Sequence, residues 1–261
     1  MKLFANDASV RAVRAAESNR DTMKKLPVIA VIRVLALTLT AMGAGATRAA
    51  AEEGVALAIV YDTSGSMREM VKDAAGKPTA KYIIANRALT SIARQIQAFS
   101  SNSSNGPRKV EAGVFIFDRD NAKEAVKYGT FDPAAIENWA KNFSTPSGNT
   151  PLGNALTTAS KPVVESALNR KHILVITDGV NTAGPAPDKV LPNLQKRATE
   201  KGGSLGVHFV AFDVDAKVFD GVKKQGATVV AAADEKQLDS QLQYILEKKI
   251  LLEDEEPRKK P

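Results

Sequence analysis

The chain has 261 residues, 36 Lys and Arg, 29 Asp and Glu, and no cysteine. That allows one medium domain with a proper core and excludes both a disulfide framework and a thiolate metal site. The net charge of +7 belongs to the start of the chain: residues 1–51 hold eight basic and three acidic residues, and the remainder holds 28 and 26. The remainder shows no basic stripe with interleaved aromatics, which argues against nucleic acid as a partner.

Met1–Thr22 is polar and rich in Ala and Arg. From Met23 the pattern changes to Met-Lys-Lys, then a mostly apolar run from Leu26 to Met42, then small residues ahead of Glu52 and Glu53. A basic start, a short apolar region and an Ala-rich end describe a secretory signal peptide, with a true start at Met23 and cleavage after Ala49 or Ala51. Arg33 interrupts the apolar run, and Val34–Met42 alone is too short to span a bilayer. The alternative is an uncleaved N-terminal anchor. Export places the protein in the periplasm or outside a bacterial cell, with no stable membrane span once the leader is removed.

Val55–Tyr61 is an apolar, branched run of the length expected for a strand buried on both faces. Met67–Ala80 reads as a polar loop. Lys81–Phe99 spaces Ile83, Ile84, Leu89, Ile92, Ile96 and Phe99 as an amphipathic helix. A Ser/Asn/Gly/Pro loop follows over Ser100–Arg108, then a strand over Lys109–Phe117, a short edge strand over Ala125–Tyr128, and a helix over Asp132–Asn142 capped by Asp132. A helix is expected over Leu152–Leu168, kinked or split at Pro162, and a buried strand over Lys171–Thr177. Further helices are expected over Asp188–Lys201, Ala216–Gln225 and Glu235–Leu251, with strands at Gly206–Phe212 and Thr228–Ala231. Strands alternating with helices give an α/β fold: a doubly wound, mostly parallel central sheet flanked by helices, over residues 54–251. Residues 1–51 are the extension and leader, and 252–261 a charged tail expected to be disordered.

Three polar clusters fall where this fold puts one edge of the sheet: Asp62, Ser64 and Ser66 after the first strand, Thr150 before a helix, and Asp178 after a central strand. Each has a plain local explanation, as a turn or a cap; Thr150 followed by Pro151 reads as a helix N-cap. Strand C-termini share one side of a parallel sheet, so the clusters converge. The donors are all oxygens, which suits a hard divalent cation.

These residues resemble the metal-ion-dependent adhesion site of the von Willebrand factor type A domain family, and the strand–helix order is similar over residues 54–251. The resemblance implies that Ser64, Ser66 and Thr150 ligate a cation through their hydroxyls, while Asp62 and Asp178 act mainly through bridging water. The implied cation is Mg²⁺, with Mn²⁺ or Ca²⁺ as alternatives. Three neutral hydroxyls compensate little of its charge, so an Asp or Glu of an unidentified partner protein can complete its shell. The site then grips a carboxylate without needing to act on it, and no catalytic residue is assigned.

An Mg²⁺-dependent hydrolase or phosphatase is the alternative. A haloacid-dehalogenase-type site wants a second Asp where Ser64 stands. Gly202–Gly206 matches G-x-S-x-G but lies between a helix and a strand, the reverse of a nucleophile elbow. His172 and His208 sit inside apolar runs and read as ordinary core or sheet-edge residues. The rim of the site is expected from Arg68–Ala80, Asp118–Asn121, Ser144–Asn149 and Gly179–Pro187.

Overall fold

The apolar run Val55–Tyr61 forms the buried body of strand β1 (Glu52–Tyr61), in which alternate side chains enter opposite cores. The structure, a computed structural model, describes residues 51–101 and 108–251. The expected leader and the expected charged tail lie outside the described residues, as does most of the Ser100–Arg108 loop.

After β1 come a 3₁₀ turn (Gly65–Arg68), the short strands β2 (Met70–Lys72) and β3 (Pro78–Ala80), and helix α1 (Lys81–Ser101). Strands β4 (Val110–Asp118) and β5 (Asn121–Thr130) follow, then α2 (Pro133–Asn142), α3 (Leu152–Glu165) and β6 (Leu168–Thr177). The chain continues through α4 (Pro187–Glu200), β7 (Leu205–Phe212), a 3₁₀ turn (Ala216–Phe219), α5 (Asp220–Lys224), β8 (Thr228–Ala232) and α6 (Glu235–Ile245). Six strands form one sheet in the order β5-β4-β1-β6-β7-β8. Only the edge pair β4–β5 is antiparallel. The sheet is therefore doubly wound around β1, and the order reverses at β1, so the crevice beside its C-terminal end is the natural place for a ligand.

Val55, Leu57, Ile59 and Tyr61 of β1 join α1, α2 and α6 in one core. Ala56, Ala58 and Val60 face α3, α4 and α5 in the other. At the start of α3, Gly153 allows a close approach: a Cβ there would lie 2.1 Å from the Pro185 carbonyl oxygen. This contact fixes the start of α3 against the loop that follows β6.

Several boundaries differ from expectation for local reasons. Met67–Ala80 is not a plain loop: β2 and β3 pair through a register running from Met70↔Ala80 to Lys72↔Pro78. β5 extends well beyond Ala125–Tyr128, because pairing with buried β4 compensates its polar composition. Pro162 neither splits nor visibly ends α3, since it stands in the last turn, where its carbonyl accepts from the Ser166 N–H. The helix stops at Glu165, and Leu168 already belongs to β6. The closing segment changes winding, from α6 to a π-helical stretch over Leu246–Leu251. No helix among the described residues is long and apolar enough to cross a membrane.

Candidate metal centre

Asp62 is the first residue beyond β1 and is fully buried. A buried carboxylate needs partners, and Asp62 has two: Oδ1 accepts from the Ser64 N–H at 2.7 Å and Oδ2 from the Thr177 hydroxyl at 2.5 Å. The first bond folds the chain into the tight turn that lifts Ser64 and Ser66 over the strand end. Their hydroxyl oxygens stand 3.1 Å apart. The Ser66 hydroxyl donates to Asp178 Oδ1 at 2.8 Å. Asp178 itself follows Thr177, the last residue of β6, so two adjacent parallel strands deliver both carboxylates.

Thr150 arrives on the segment between α2 and α3, and four backbone-directed bonds hold that segment in place. Ser147 N–H donates to the Thr63 carbonyl at 2.7 Å, and Gly65 N–H to the Gly148 carbonyl at 3.2 Å. Thr150 N–H donates to the Thr182 hydroxyl at 2.8 Å, and Thr182 N–H to the Thr150 carbonyl at 3.0 Å. Asn86 Nδ2 also donates to the Phe143 carbonyl, tying α1 to the start of the same segment. Thr150 is 4% exposed, yet its hydroxyl makes no hydrogen bond among the described residues. A Cβ placed on Gly179 would lie 3.7 Å from Thr150 Oγ1 and 3.9 Å from Ser66 Oγ, so both oxygens border the same small space.

The structure therefore brings all five predicted residues to one crevice. The N-cap role for Thr150 is not what the structure shows: Pro151 holds the capping position of α3, and no side chain caps it. Electrostatics mark the crevice as well. Burial, then the negative charge of Asp178, drive the Asp62 carboxyl up to about 6, while the Ser64 and Thr177 hydrogen bonds act against the rise. Two carboxylates and three hydroxyls with an internal charge conflict fit a divalent cation with oxygen preference. No cluster of three or more His, Cys, Asp or Glu among the described residues is placed to hold a metal, so hydroxyls have to complete any such site.

Sequence reasoning missed three neighbours. Thr177 orients Asp62, and Thr182 anchors Thr150. Lys81 Nζ donates to Asp178 Oδ2 at 3.1 Å, to Glu69 Oε2 at 2.8 Å, and pairs with Asp213 Oδ2 at 3.0 Å. The signal for Lys81 was legible: it shares the apolar face of α1 with Ile84, Ala85 and Ala88. Burial works against its ammonium, but the Glu69 and Asp213 hydrogen bonds and the Asp178 charge outweigh that and hold its pKa above the usual lysine range. His172 and His208, expected in the core or at a sheet edge, lie buried on the interior strands β6 and β7, with Nδ1 and Nε2 3.3 Å apart.

The profile of the von Willebrand factor type A domain family matches residues 56–249. Among solved structures, the chain is similar to the PilB minor pilin from Streptococcus sanguinis at 14% identity, covering 74% of this chain and 61% of that one, with a TM-score of 0.56. It is similar to the von Willebrand factor domain of the type V pili tip protein Mfa5 from Porphyromonas gingivalis at 13% identity, covering 74% and 94%, with a TM-score of 0.56. It is also similar to proximal thread matrix protein 1 from the mussel byssus, described with zinc in its MIDAS motif, at 15% identity, covering 75% and 48%, with a TM-score of 0.54. The chain thus spans about half to three-fifths of the length of the pilin and the byssus protein. No match is found among curated proteins. At these identities the structural likenesses establish the fold.

Proposed function

The chain belongs to the von Willebrand factor type A domain family, and from that premise we propose that it holds a divalent cation at the β1–β6 crevice and uses it to capture an acidic residue of a partner protein. Ser64, Ser66 and Thr150 would hold the ion through their hydroxyls, with Asp62 and Asp178 behind them. When bound, the ion supplies an electrophilic position that a carboxylate oxygen can fill. The observation that carries this reading is the Thr150 hydroxyl: on a residue only 4% exposed, without a hydrogen bond among the described residues, and beside the same space as Ser66 Oγ.

The chain's own residues prepare the site. Thr177 and the Ser64 N–H fix both oxygens of Asp62. Ser66 orients Asp178. The bonds from Ser147 and Gly65 keep the Thr150 segment against the Ser64–Ser66 turn, so the hydroxyls are preorganised. Met70 and Val180, which follow the first and third clusters, have exposed apolar side chains and would contribute to the rim that a partner meets.

Mg²⁺ is the proposed ion, with Mn²⁺ or Ca²⁺ as substitutes; the zinc described in the byssus protein makes a comparison of cations part of the test. Export through the leader and a non-enzymatic role complete the proposal. The experiment is affinity capture from native extract with Mg²⁺ or with EDTA, using wild type and Asp178→Ala as baits. A partner held by wild type in Mg²⁺ and lost with EDTA and with Asp178→Ala is the expected result; a partner indifferent to both refutes metal-dependent capture.

A further inference from the structure

Lys81 places a full positive charge inside the proposed site's own wall. Its side chain is 3% exposed, and that of its partner Asp178 is fully buried. Its three acceptors come from three different segments: Glu69 after the Ser64–Ser66 turn, Asp178 after β6, and Asp213 after β7. An ammonium has three donors, so all are engaged and the nitrogen is pinned. Its backbone is pinned as well, since Lys81 N–H donates to the Glu69 carbonyl at 2.9 Å, closing the β2–β3 hairpin.

The division of labour on Asp178 is the informative feature. Oδ1 accepts from Ser66, and Oδ2 accepts from Lys81. Each oxygen thereby gives one of its two acceptor sites to the protein. Resting on the metal-site reading above, we propose that Lys81 is a tethered counter-cation that keeps Asp178 from neutralising a bound divalent ion, so that the ion's remaining demand for negative charge is met by a partner's carboxylate. The residue thus weakens metal binding and strengthens carboxylate capture. It is a positioning residue: it acts through Asp178.

A purely structural lysine makes a different forecast. Removing one member of a buried ion pair leaves an uncompensated charge and costs stability; a merely structural role would then lower metal affinity and carboxylate affinity together. The proposed role moves them in opposite directions. Loss of the ammonium removes a repulsion toward the ion and leaves the Asp178 charge uncompensated, with one more acceptor site free on Oδ2. An opposite charge at contact range lowers a carboxylate's affinity for a proton by about tenfold or more, and a divalent cation beside Asp178 meets the same field.

The test is calorimetric titration of Mn²⁺ into wild type and Lys81→Met, with folding checked by circular dichroism. Acetate is then titrated against each Mn²⁺-loaded protein, with water-proton relaxation as readout. Because Lys81→Met leaves three carboxylates without their cation, the same substitution is also made in a Glu69→Gln/Asp213→Asn background. There the two exposed partners are already neutral. In either background the expected result is Mn²⁺ binding about tenfold tighter together with weaker acetate binding. A folded variant with unchanged or weaker Mn²⁺ affinity, or with unchanged acetate affinity, overturns the role of Lys81. Failure of the wild type to bind Mn²⁺ overturns the metal-site reading itself, which is a separate outcome.

Discussion

Replacing Thr150 by Val removes one oxygen and keeps the shape. The hydroxyl makes no hydrogen bond among the described residues and does not cap α3, so its loss leaves no buried partner unsatisfied. The stability of the metal-free protein should change by less than about 0.5 kcal/mol. Metal affinity should respond far more strongly. Loss of a residue that merely supports a ligand costs 10–100-fold in affinity, so loss of a direct oxygen should cost about 100-fold or more. At a metal concentration about 100 times the wild-type Kd, binding stabilises the native state by about 2.7 kcal/mol; after a 100-fold loss the same concentration gives about 0.4 kcal/mol. For a domain of this size each kcal/mol moves the melting temperature by about 2–4 °C. Wild type should therefore shift by roughly 5–11 °C on adding metal, and Thr150→Val by about 1–2 °C. Thr150→Ser keeps the oxygen and should keep most of the shift. If Thr150→Val melts like wild type without metal and retains the full shift with it, the hydroxyl is no ligand and the reasoning fails.

Asp62 titrates near 6 in the folded protein, above its unfolded value of 3.8, so metal-free protein takes up a proton on folding between about pH 4 and 6. That contribution stabilises the metal-free state at the acid end, is lost as pH rises through 6, and amounts to about 3 kcal/mol at most. Cation binding competes with that proton, so Mn²⁺ affinity measured at pH 5 should fall well below that at pH 7.5; equal affinities would contradict it. The histidine pair has the opposite sign. Burial, His208 and Arg170 lower His172 to about 3, and burial and Lys249 lower His208 to about 4. Their contribution is complete above about pH 6.5 and is lost as pH falls toward 4, roughly 2–3 kcal/mol for His208 alone by pH 4.5. His208→Leu should flatten the acid limb of urea denaturation, and an unchanged limb would refute this. Gly153→Ala drives a methyl into the Pro185 carbonyl and should cost about 1–3 kcal/mol. Gly179→Ala meets nothing closer than 3.7 Å, so equal melting of the two variants would contradict the packing account.

Periodicity carried most of the fold. The buried strands were legible because each is a continuous apolar run, and Asp132 capping α2 through the Ala135 N–H was legible because cap chemistry is local. The β2–β3 hairpin and the length of β5 were not, since their strand character comes from pairing with distant segments rather than from composition. The five candidate residues could be named because strand ends in a parallel sheet share an edge and because, together with Thr150 ahead of a helix, they resemble the family's site pattern. Thr177 was obscured by lying in a segment already explained as a strand, and Thr182 by lying in a segment read only as rim. Lys81 was readable as a charge on an apolar helix face, but its three acidic partners stand 12, 97 and 132 positions away in sequence, and no local pattern joins them.

The central claim is that one divalent cation sits among Ser64, Ser66, Thr150, Asp62 and Asp178. Electron paramagnetic resonance of free Mn²⁺ during titration into purified protein tests it most directly. One bound ion per chain is expected, displaced by Mg²⁺, and held at least about 100-fold more weakly by Ser66→Ala and by Thr150→Val while both variants remain folded. Retention of the full Mn²⁺ stoichiometry and affinity by both variants, or no binding by wild type, would contradict it.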